Sequence, residues 1–360
     1  MKFDLEKLNK YIEEELVVKN EHPALPISIY NYSRKTQYEN KWNEITKQCR
    51  GLILDNEGYV IAKGFDKFFN MEELVVEDIP NETFEVFEKL DGSLGILFWY
   101  DGRWILSTKG SFVSQQSIKG KEILDSKYNI HPIPKGYTTL VEILYPQNRI
   151  VCNYGNDEYL VVLSMISNSS GKELDYDSLK LISEETKMPL VKRYDGINDY
   201  KALKLMIDKE REGYVIRFKN GFRMKIKGEE YVRLHRILTG FSNVDIWEYL
   251  KDGKDIYELL DRVPDEFDKW VKSTIRDIKY SYFQINERSG KLFDHKMYGK
   301  YNDLEPETDK KKYAEWVMDQ EEILRPILFR MFDKKDYSDY IWKIIRPKYS
   351  KPFWEKEIEL

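Results

Sequence analysis

The run Glu88-Lys89-Leu90-Asp91-Gly92-Ser93 sets a lysine, an aspartate and a glycine in a K-x-D-G arrangement, directly ahead of an apolar strand pattern. An ammonium group is strongly hydrated, and burying it without a task costs several kcal/mol, roughly. Given a task, a lysine can act as a covalent nucleophile once desolvation or neighbouring cations lower its pKa. Read alone, the same four residues also describe a β-turn with a solvated lysine, so the rest of the chain must decide.

Two hairpin patterns bring further lysines into play. Asn220-Gly221 joins Tyr214 to Phe218 with Phe222 to Ile226 as a two-residue hairpin. In that register 219 pairs with 222 and 216 with 225, so 212, 214, 216 and 218 share a face with 223, 225, 227 and 229. The expectation is a charged face holding Glu212, Lys225 and Lys227, with Val215, Met224 and Ile226 on the apolar side. A solvated face with a cross-strand ion pair accounts for the same residues, and such a pair is worth at most about 1 kcal/mol. The second hairpin, Leu94 to Tyr100 and Arg103 to Thr108 about Asp101-Gly102, sets Lys109 across from Leu94 and towards the Lys89 turn. Lys89, Lys109, Lys225 and Lys227 gathered without an anion would repel one another. A triphosphate would neutralise them, and the crowding is expected to depress the pKa of an attacking Lys89.

The elements that must position these groups fall into two regions. From about residue 25 to 228 the pattern is mostly β, with Ser28 to Tyr32, Gly51 to Leu54, Tyr59 to Ala62, Thr139 to Leu144 and Tyr159 to Met165 as further strands. After Gly228 apolar residues recur at helical spacing. Phe267, Trp270, Val271, Thr274, Ile275, Ile278 and Tyr282 form one stripe, with Pro264 and Asp265 placed to start it. Tyr313, Trp316, Val317, Ile323 and Leu324 form another, interrupted at Pro326, and Tyr340, Ile341, Ile344 and Ile345 a last one. The fold class expected is α+β: an antiparallel-rich domain over residues 1–228, then a mostly helical domain over 229–360.

Composition narrows the classes. The 360 residues are 41% hydrophobic and 34% charged, with a 14% aromatic share that argues against disorder. Cys49 and Cys152 are the only cysteines, which gives no disulfide framework and no zinc set, and His22, His131, His235 and His295 show no ligand spacing. No apolar stretch is long enough to span a bilayer, and the first sixteen residues read as a charged amphipathic helix. A cytoplasmic location is the simplest expectation, or the host cytoplasm for a viral protein. The net charge of −5 counts against a passive coat for nucleic acid without excluding a local basic groove.

Several ordered motifs now converge. Tyr30-Asn31-Tyr32, Cys49-Arg50-Gly51, Asp66-Lys67-Phe68-Phe69-Asn70, Lys89-Leu90-Asp91-Gly92-Ser93 and Ser107-Thr108-Lys109-Gly110-Ser111 come first. Val141-Glu142-Ile143, Pro146-Gln147-Asn148-Arg149-Ile150-Val151, Glu212-Gly213-Tyr214-Val215 and Lys225-Ile226-Lys227 with Tyr231 follow. In this order they resemble the RNA ligase 1 family of ATP-dependent RNA ligases, typified by the enzyme of T-even bacteriophages. The resemblance implies a nucleotidyltransferase domain in which Lys89 attacks the α-phosphate of ATP, expels pyrophosphate and becomes a lysyl-adenylate. It implies that Lys225 and Lys227 hold the α-phosphate charge, that Lys67 meets the outer phosphates, and that Arg50 and Glu142 address the ribose. Tyr30 and Glu88 would belong to the ATP pocket. Glu212 would orient the lysine or hold metal-bound water, and Asp91, Gly92, Ser93, Lys109 and Tyr231 would support the later RNA step. Magnesium is implied as cofactor, with manganese as a substitute, and Asp255 would reach metal-bound water in an alignment that needs a gap. The AMP would pass to an RNA 5′-phosphate, and a 3′-hydroxyl would displace it. The implied substrate is single-stranded or broken-loop RNA such as a cut tRNA, with a separate polynucleotide kinase/phosphatase as companion.

DNA ligases and mRNA-capping guanylyltransferases share this lysyl-nucleotide chemistry. Both normally carry an all-β OB-fold after the catalytic domain, where this chain turns helical. A catalytically silent RNA-binding protein of the same fold would be expected to lose Lys89, Glu212 or the paired lysines, and all are present.

Overall fold

Asp4 starts the chain's first helix by accepting a hydrogen bond from the Lys7 N–H at 3.1 Å, satisfying one of the donors a helix start leaves open. The computed structural model describes residues 1–208, 211–256, 260, 263, 265–298 and 310–351. Its strands are β1 (Val17–Glu21), β2 (Ile27–Tyr32), β3 (Arg50–Asp55), β4 (Val60–Ala62), β5 (Phe69–Asn70), β6 (Phe84–Lys89), β7 (Ser93–Tyr100), β8 (Arg103–Thr108), β9 (Tyr137–Leu144), β10 (Tyr159–Ser167), β11 (Arg193–Tyr194), β12 (Gly213–Phe218) and β13 (Arg223–Lys227). Helices α1 (Leu5–Glu13), α2 (Arg34–Tyr38), α3 (Glu44–Gln48), α4 (Gln115–Lys127), α5 (Tyr176–Thr186) and α6 (Leu203–Met206) are set among them. The strands form three sheets, ordered β1-β2-β3-β4, β10-β9-β7-β8 and β11-β6-β12-β13-β5, in which every pairing between strands is antiparallel except β13 with β5. The result is α+β, antiparallel-rich, as expected.

Helices α7 (Glu229–Gly240), α8 (Asn243–Lys251), α9 (Asp265–Tyr298), α10 (Lys310–Met318), α11 (Arg325–Phe332) and α12 (Ser338–Ile344) are the α-helices that follow. One compact unit ends at Arg233 and a second begins at Leu234, so the division falls inside α7. The second unit is helical. Phe267, Val271, Ile275 and Ile278 form the buried stripe of α9, while Tyr313, Val317, Leu324, Ile327, Leu328 and Ile341 build a core from α10, α11 and α12. Pro264 lies outside the described residues. Pro326 corrects an expectation: it sits in the first turn of α11, where a missing N–H costs nothing, and so opens a helix where an interruption was expected.

The Asp101-Gly102 hairpin has the expected register, with Tyr100 opposite Arg103 and Gly95 opposite Thr108. The Asn220-Gly221 hairpin does not. Its ladder pairs Arg217 with Arg223 and Val215 with Lys225, and the Phe218 N–H donates to the Phe222 carbonyl at 2.9 Å, so the loop is three residues, Lys219 to Gly221. A one-residue slip turns a strand's side chains over. Tyr214, Ile216 and Phe218 therefore join Met224 and Ile226 in the core, and Val215 moves to the charged side, opposite to its expected place. Lys225 and Lys227 keep their shared face.

Candidate active site

Strand β6, which the sequence pattern did not reveal, delivers Lys89. Its last residue pairs with Gly213 of β12, which in turn pairs with Lys227 of β13, so the three strand ends meet. Gly213 has φ +148°, and an added Cβ there would lie 1.9 Å from the Ile226 carbonyl oxygen. That glycine conformation interrupts the strand alternation and returns Glu212 to the side of the lysines. Glu212 Oε1 accepts from Lys89 Nζ at 2.6 Å and lies 3.0 Å from Lys227 Nζ, with only 3% of its side chain exposed.

The electrostatics corrects one expectation about Lys89. Burial works against its charge but is outweighed by Glu212, Glu142 and Asp91, so its pKa is raised. The depressed lysine is Lys225, pushed down to about 7 by burial and then by Lys89, Lys227, Lys67 and Arg50. Between Lys89 and Lys227, Glu212 stays below the usual carboxylate range although burial opposes it. Burial pushes Glu142 up to about 8, Glu212 and Asp91 adding to the shift against the pull of Lys89.

The turn after Lys89 is held from several directions. Asp91 is buried: its Oδ2 accepts from the Val151 and Cys152 N–H groups at 2.8 and 2.9 Å, and its Oδ1 from the Tyr231 hydroxyl at 2.8 Å. The Asp91 N–H donates to the Tyr154 hydroxyl at 2.8 Å. Gly92 donates to Glu142 Oε1 at 3.0 Å, an approach that leaves no room for a side chain, because a Cβ would meet the Ile143 carbonyl oxygen at 2.7 Å. Ser93 exchanges hydrogen bonds with the Asn148 amide at 3.0 and 3.3 Å. The segment that follows β9 therefore forms the seat of the lysine turn.

Arg50 borders the cluster through its charge interactions with Tyr32, Glu142 and Lys225, and burial lowers its pKa. Lys67 sits over the rings of Tyr32, Trp42 and Phe69 at 5.4, 4.9 and 5.2 Å, and Lys109 also lies 5.4 Å from the Tyr32 ring. Other candidates are placed elsewhere. Tyr30 packs with Leu8, Val17, Cys49 and Leu52, and it is Tyr32, beyond a bulge in β2, that meets the lysines. Glu88 alternates away from Lys89, and its charge is felt by Tyr159, Tyr194 and Arg211. Asp255 is exposed after α8 in the second unit, and no group of three or more His, Cys, Asp or Glu among the described residues could hold a metal ion. The Cys49 thiol is pushed up to about 12 by burial, the state of an inert core cysteine. Tyr154 and Trp42 were missed, the first because nothing marks a lone tyrosine in a loop, the second because it stands in a polar stretch.

Comparison with known proteins gives this arrangement a lineage. A putative bifunctional polynucleotide kinase/RNA ligase of Autographa californica nuclear polyhedrosis virus is 27% identical over 244 residues, covering 60% of this chain and 34% of that protein. A putative RNA ligase of Thermovibrio ammonificans is 27% identical over 262 residues, covering 68% of this chain and 67% of its own. The chain thus spans about a third of the viral relative's length. Among solved structures, a putative ATP-dependent DNA ligase from Aquifex aeolicus aligns at a TM-score of 0.48 with 15% identity, over 92% of this chain and 88% of that one. An archaeal ATP-dependent RNA ligase aligns at 0.46 with 13% identity, over 93% and 96%. Residues 48–231, which carry Lys67, Lys89, Glu142, Glu212, Lys225 and Lys227, match the family described as RNA ligase, and the chain belongs to that family.

Proposed function

We propose that this protein is an ATP-dependent RNA ligase that works through a lysyl-adenylate on Lys89. The observation that carries the reading is the pairing at Glu212: one buried oxygen holds two ammonium groups while a third, Lys225, is pushed down to about 7 by burial and then by the cations around it. Such a site lacks negative charge, and a triphosphate supplies it. In the first step Lys89 Nζ bonds to the α-phosphorus, the bond from that phosphorus to the bridging oxygen breaks, and pyrophosphate leaves with the electron pair. Lys89 carries its proton in the free protein and must lose it before it attacks; Glu212, in hydrogen-bond contact, orients the amine and is the carboxylate placed to take that proton. Lys225 and Lys227 stabilise the charge on the α-phosphate, the usual electrostatic work in phosphoryl transfer. Arg50 and Glu142 address the ribose, and Lys67 the outer phosphates.

The donor set fits a metal that arrives with the phosphates better than one held in a protein cage. Glu142 is pushed up to about 8 and Glu212 is occupied by two ammonium groups. Glu212 is the residue that would hold magnesium, or manganese in its place, through bound water, and the ion would supply screening of the phosphate charge. The AMP then passes to an RNA 5′-phosphate and is displaced by a 3′-hydroxyl. Such ends would come from a polynucleotide kinase/phosphatase, a companion in keeping with the kinase/ligase name of the viral relative. No helix among the described residues is long and apolar enough to cross a membrane.

The test is incubation with magnesium and α-labelled ATP or GTP, followed by a denaturing gel. A label from ATP that is absent in Lys89→Ala supports the reading. Label from GTP instead points to capping-type chemistry, and label retained by Lys89→Ala removes Lys89 as the nucleophile.

A further inference from the structure

Lys67 differs from its neighbours in what holds it. Lys89 and Lys227 are each anchored by a carboxylate, whereas no carboxylate forms an ion pair with Lys67 among the described residues; the charge of Glu73 reaches it only at longer range. Its ammonium instead lies over three rings, and these rings brace one another. Tyr32 and Trp42 meet edge-on with centroids 4.8 Å apart, and Trp42 and Phe69 at 5.5 Å. Each ring stands on a separately fixed element. Tyr32 closes β2, and its N–H donates to the Cys49 carbonyl at 2.6 Å. Phe69 belongs to β5, whose next residue, Asn70, pairs with Lys225.

Trp42 sits between two locked residues. The Lys41 N–H donates to the Thr36 carbonyl at 2.9 Å, and Asn43 caps α3, its side chain accepting from Ile45 and Thr46 while its own N–H donates to the Thr46 hydroxyl. An aromatic face attracts a cation through its quadrupole, with a strength of about 0.5–2 kcal/mol per contact. Unlike a carboxylate, it brings no net charge. A cation held in this way keeps its full field for an incoming anion, and Lys67 is close enough for Lys225 and Lys227 to feel it or be felt by it.

We propose that Trp42 is a positioning residue for Lys67: with Tyr32 and Phe69 it forms a three-ring box that holds the ammonium without cancelling its charge, so that the phosphates departing as pyrophosphate meet a whole cation. This rests on the ligase reading for its substrate and on the geometry alone for the box.

The experiment uses the full chain as wild type, Trp42→Ala, Trp42→Phe, Lys67→Met and the Trp42→Ala/Lys67→Met double variant. The probes are inorganic pyrophosphate in a direct titration, ATP in single-turnover adduct formation, and joining of pre-adenylated RNA. Trp42→Ala is expected to weaken pyrophosphate binding and raise the ATP concentration for half-maximal adduct roughly tenfold, the scale of one strong cation–π contact. Trp42→Phe should recover most of this, and joining of pre-adenylated RNA should fall far less. In the Lys67→Met background Trp42→Ala should cost almost nothing further, because a residue that acts through Lys67 has nothing left to position. An unchanged pyrophosphate affinity, no recovery by phenylalanine, an equal loss in the joining of pre-adenylated RNA, or a full additional loss in the double variant would each overturn the proposal. If wild type forms no adduct, the ligase reading fails, and the pyrophosphate titrations of the same variants still decide on the box.

Discussion

One face of the sheet β11-β6-β12-β13-β5 carries charge at both ends, and the two ends are built on opposite principles. At one end Arg217 contacts Glu85 at 2.5 Å and Glu173 at 3.3 Å, and Arg193 contacts Glu85 at 3.3 Å and Asp195 at 3.1 Å. Arg223 donates to Glu173 with both terminal guanidinium nitrogens, and Ser164 donates to the same carboxylate at 2.8 Å. Three guanidinium groups meet three carboxylates, and the Arg223–Glu173 pair has the planar bidentate form. At the other end Lys89, Lys225, Lys227, Lys67 and Arg50 face Glu212, Glu142 and Asp91. Of those three, Glu142 is pushed up to about 8 and Asp91 spends its oxygens on two N–H groups and a tyrosine hydroxyl. The arginine end matches each cation with a carboxylate. The lysine end is left positive, which is sensible only if an anion completes it.

The comparison can be broken most sharply at the lysine end. Lys89→Ala should eliminate the enzyme–nucleotide adduct, and Lys225→Ala or Lys227→Ala should slow its formation about 10²–10³-fold, the usual cost of losing a preorganised charge contact. A near-normal rate in single-turnover labelling would show that the surplus charge has no catalytic use. Removing the glutamate at the opposite end should do the reverse. Glu173→Gln leaves Arg223 without its carboxylate and Arg217 with Glu85 alone, and should lower stability by about 2–4 kcal/mol, read as a fall in the denaturant midpoint, with adduct formation in the folded protein largely kept.

The next effect is smaller and depends on pH. The unfolded chain keeps the Lys225 proton up to its ordinary value of 10.5, while the folded protein sheds it near 7. The charge of Lys225 therefore opposes folding below about pH 7, and that opposition fades as pH rises towards 10.5. An anion that binds the cluster favours the protonated form, so its binding takes up a proton. Pyrophosphate or ATP affinity should weaken as pH rises above about 7, with proton uptake measured by calorimetry in buffers of different ionisation heat. An affinity that strengthens over that range would contradict the assignment. The smallest effect belongs to Tyr231→Phe, which removes the hydroxyl from buried Asp91 and should cost about 1–3 kcal/mol of stability at the lysine turn. Local hydrogen exchange at residues 89–93 should report it.

Much of the site was legible in the chain because the relevant relations are local. The K-x-D-G turn, the i and i+2 placement of Lys225 and Lys227 on one strand face, and the Asp101-Gly102 hairpin all follow from the two-residue period of a strand and from turn chemistry. The helical stripe beginning at Phe267 is read in the same way. What failed was non-local. A three-residue loop replaced the two-residue one at Asn220, because two adjacent residues with turn preference suit either loop and only the packing of Tyr214, Ile216 and Phe218 chooses between them. Strand β6 was invisible because two glutamates interrupt its apolar pattern, and their partners, Arg217 and Arg193 for Glu85, come from distant segments.

The sequence by itself determined which residues can do the chemistry, which of them share a strand, and that a β-rich region precedes a helical one. Tertiary structure alone decided which lysine keeps its proton: Lys89 is held up, against burial, by carboxylates brought from β9 and from the residue before β12, while Lys225 is pushed down by burial and by the cations gathered around it. It also decided that Tyr32 and not Tyr30 meets the lysine cluster, and that three rings from separate elements close around Lys67. Charge and ring interactions act through space over a few ångströms, and the order of residues along the chain does not contain those distances.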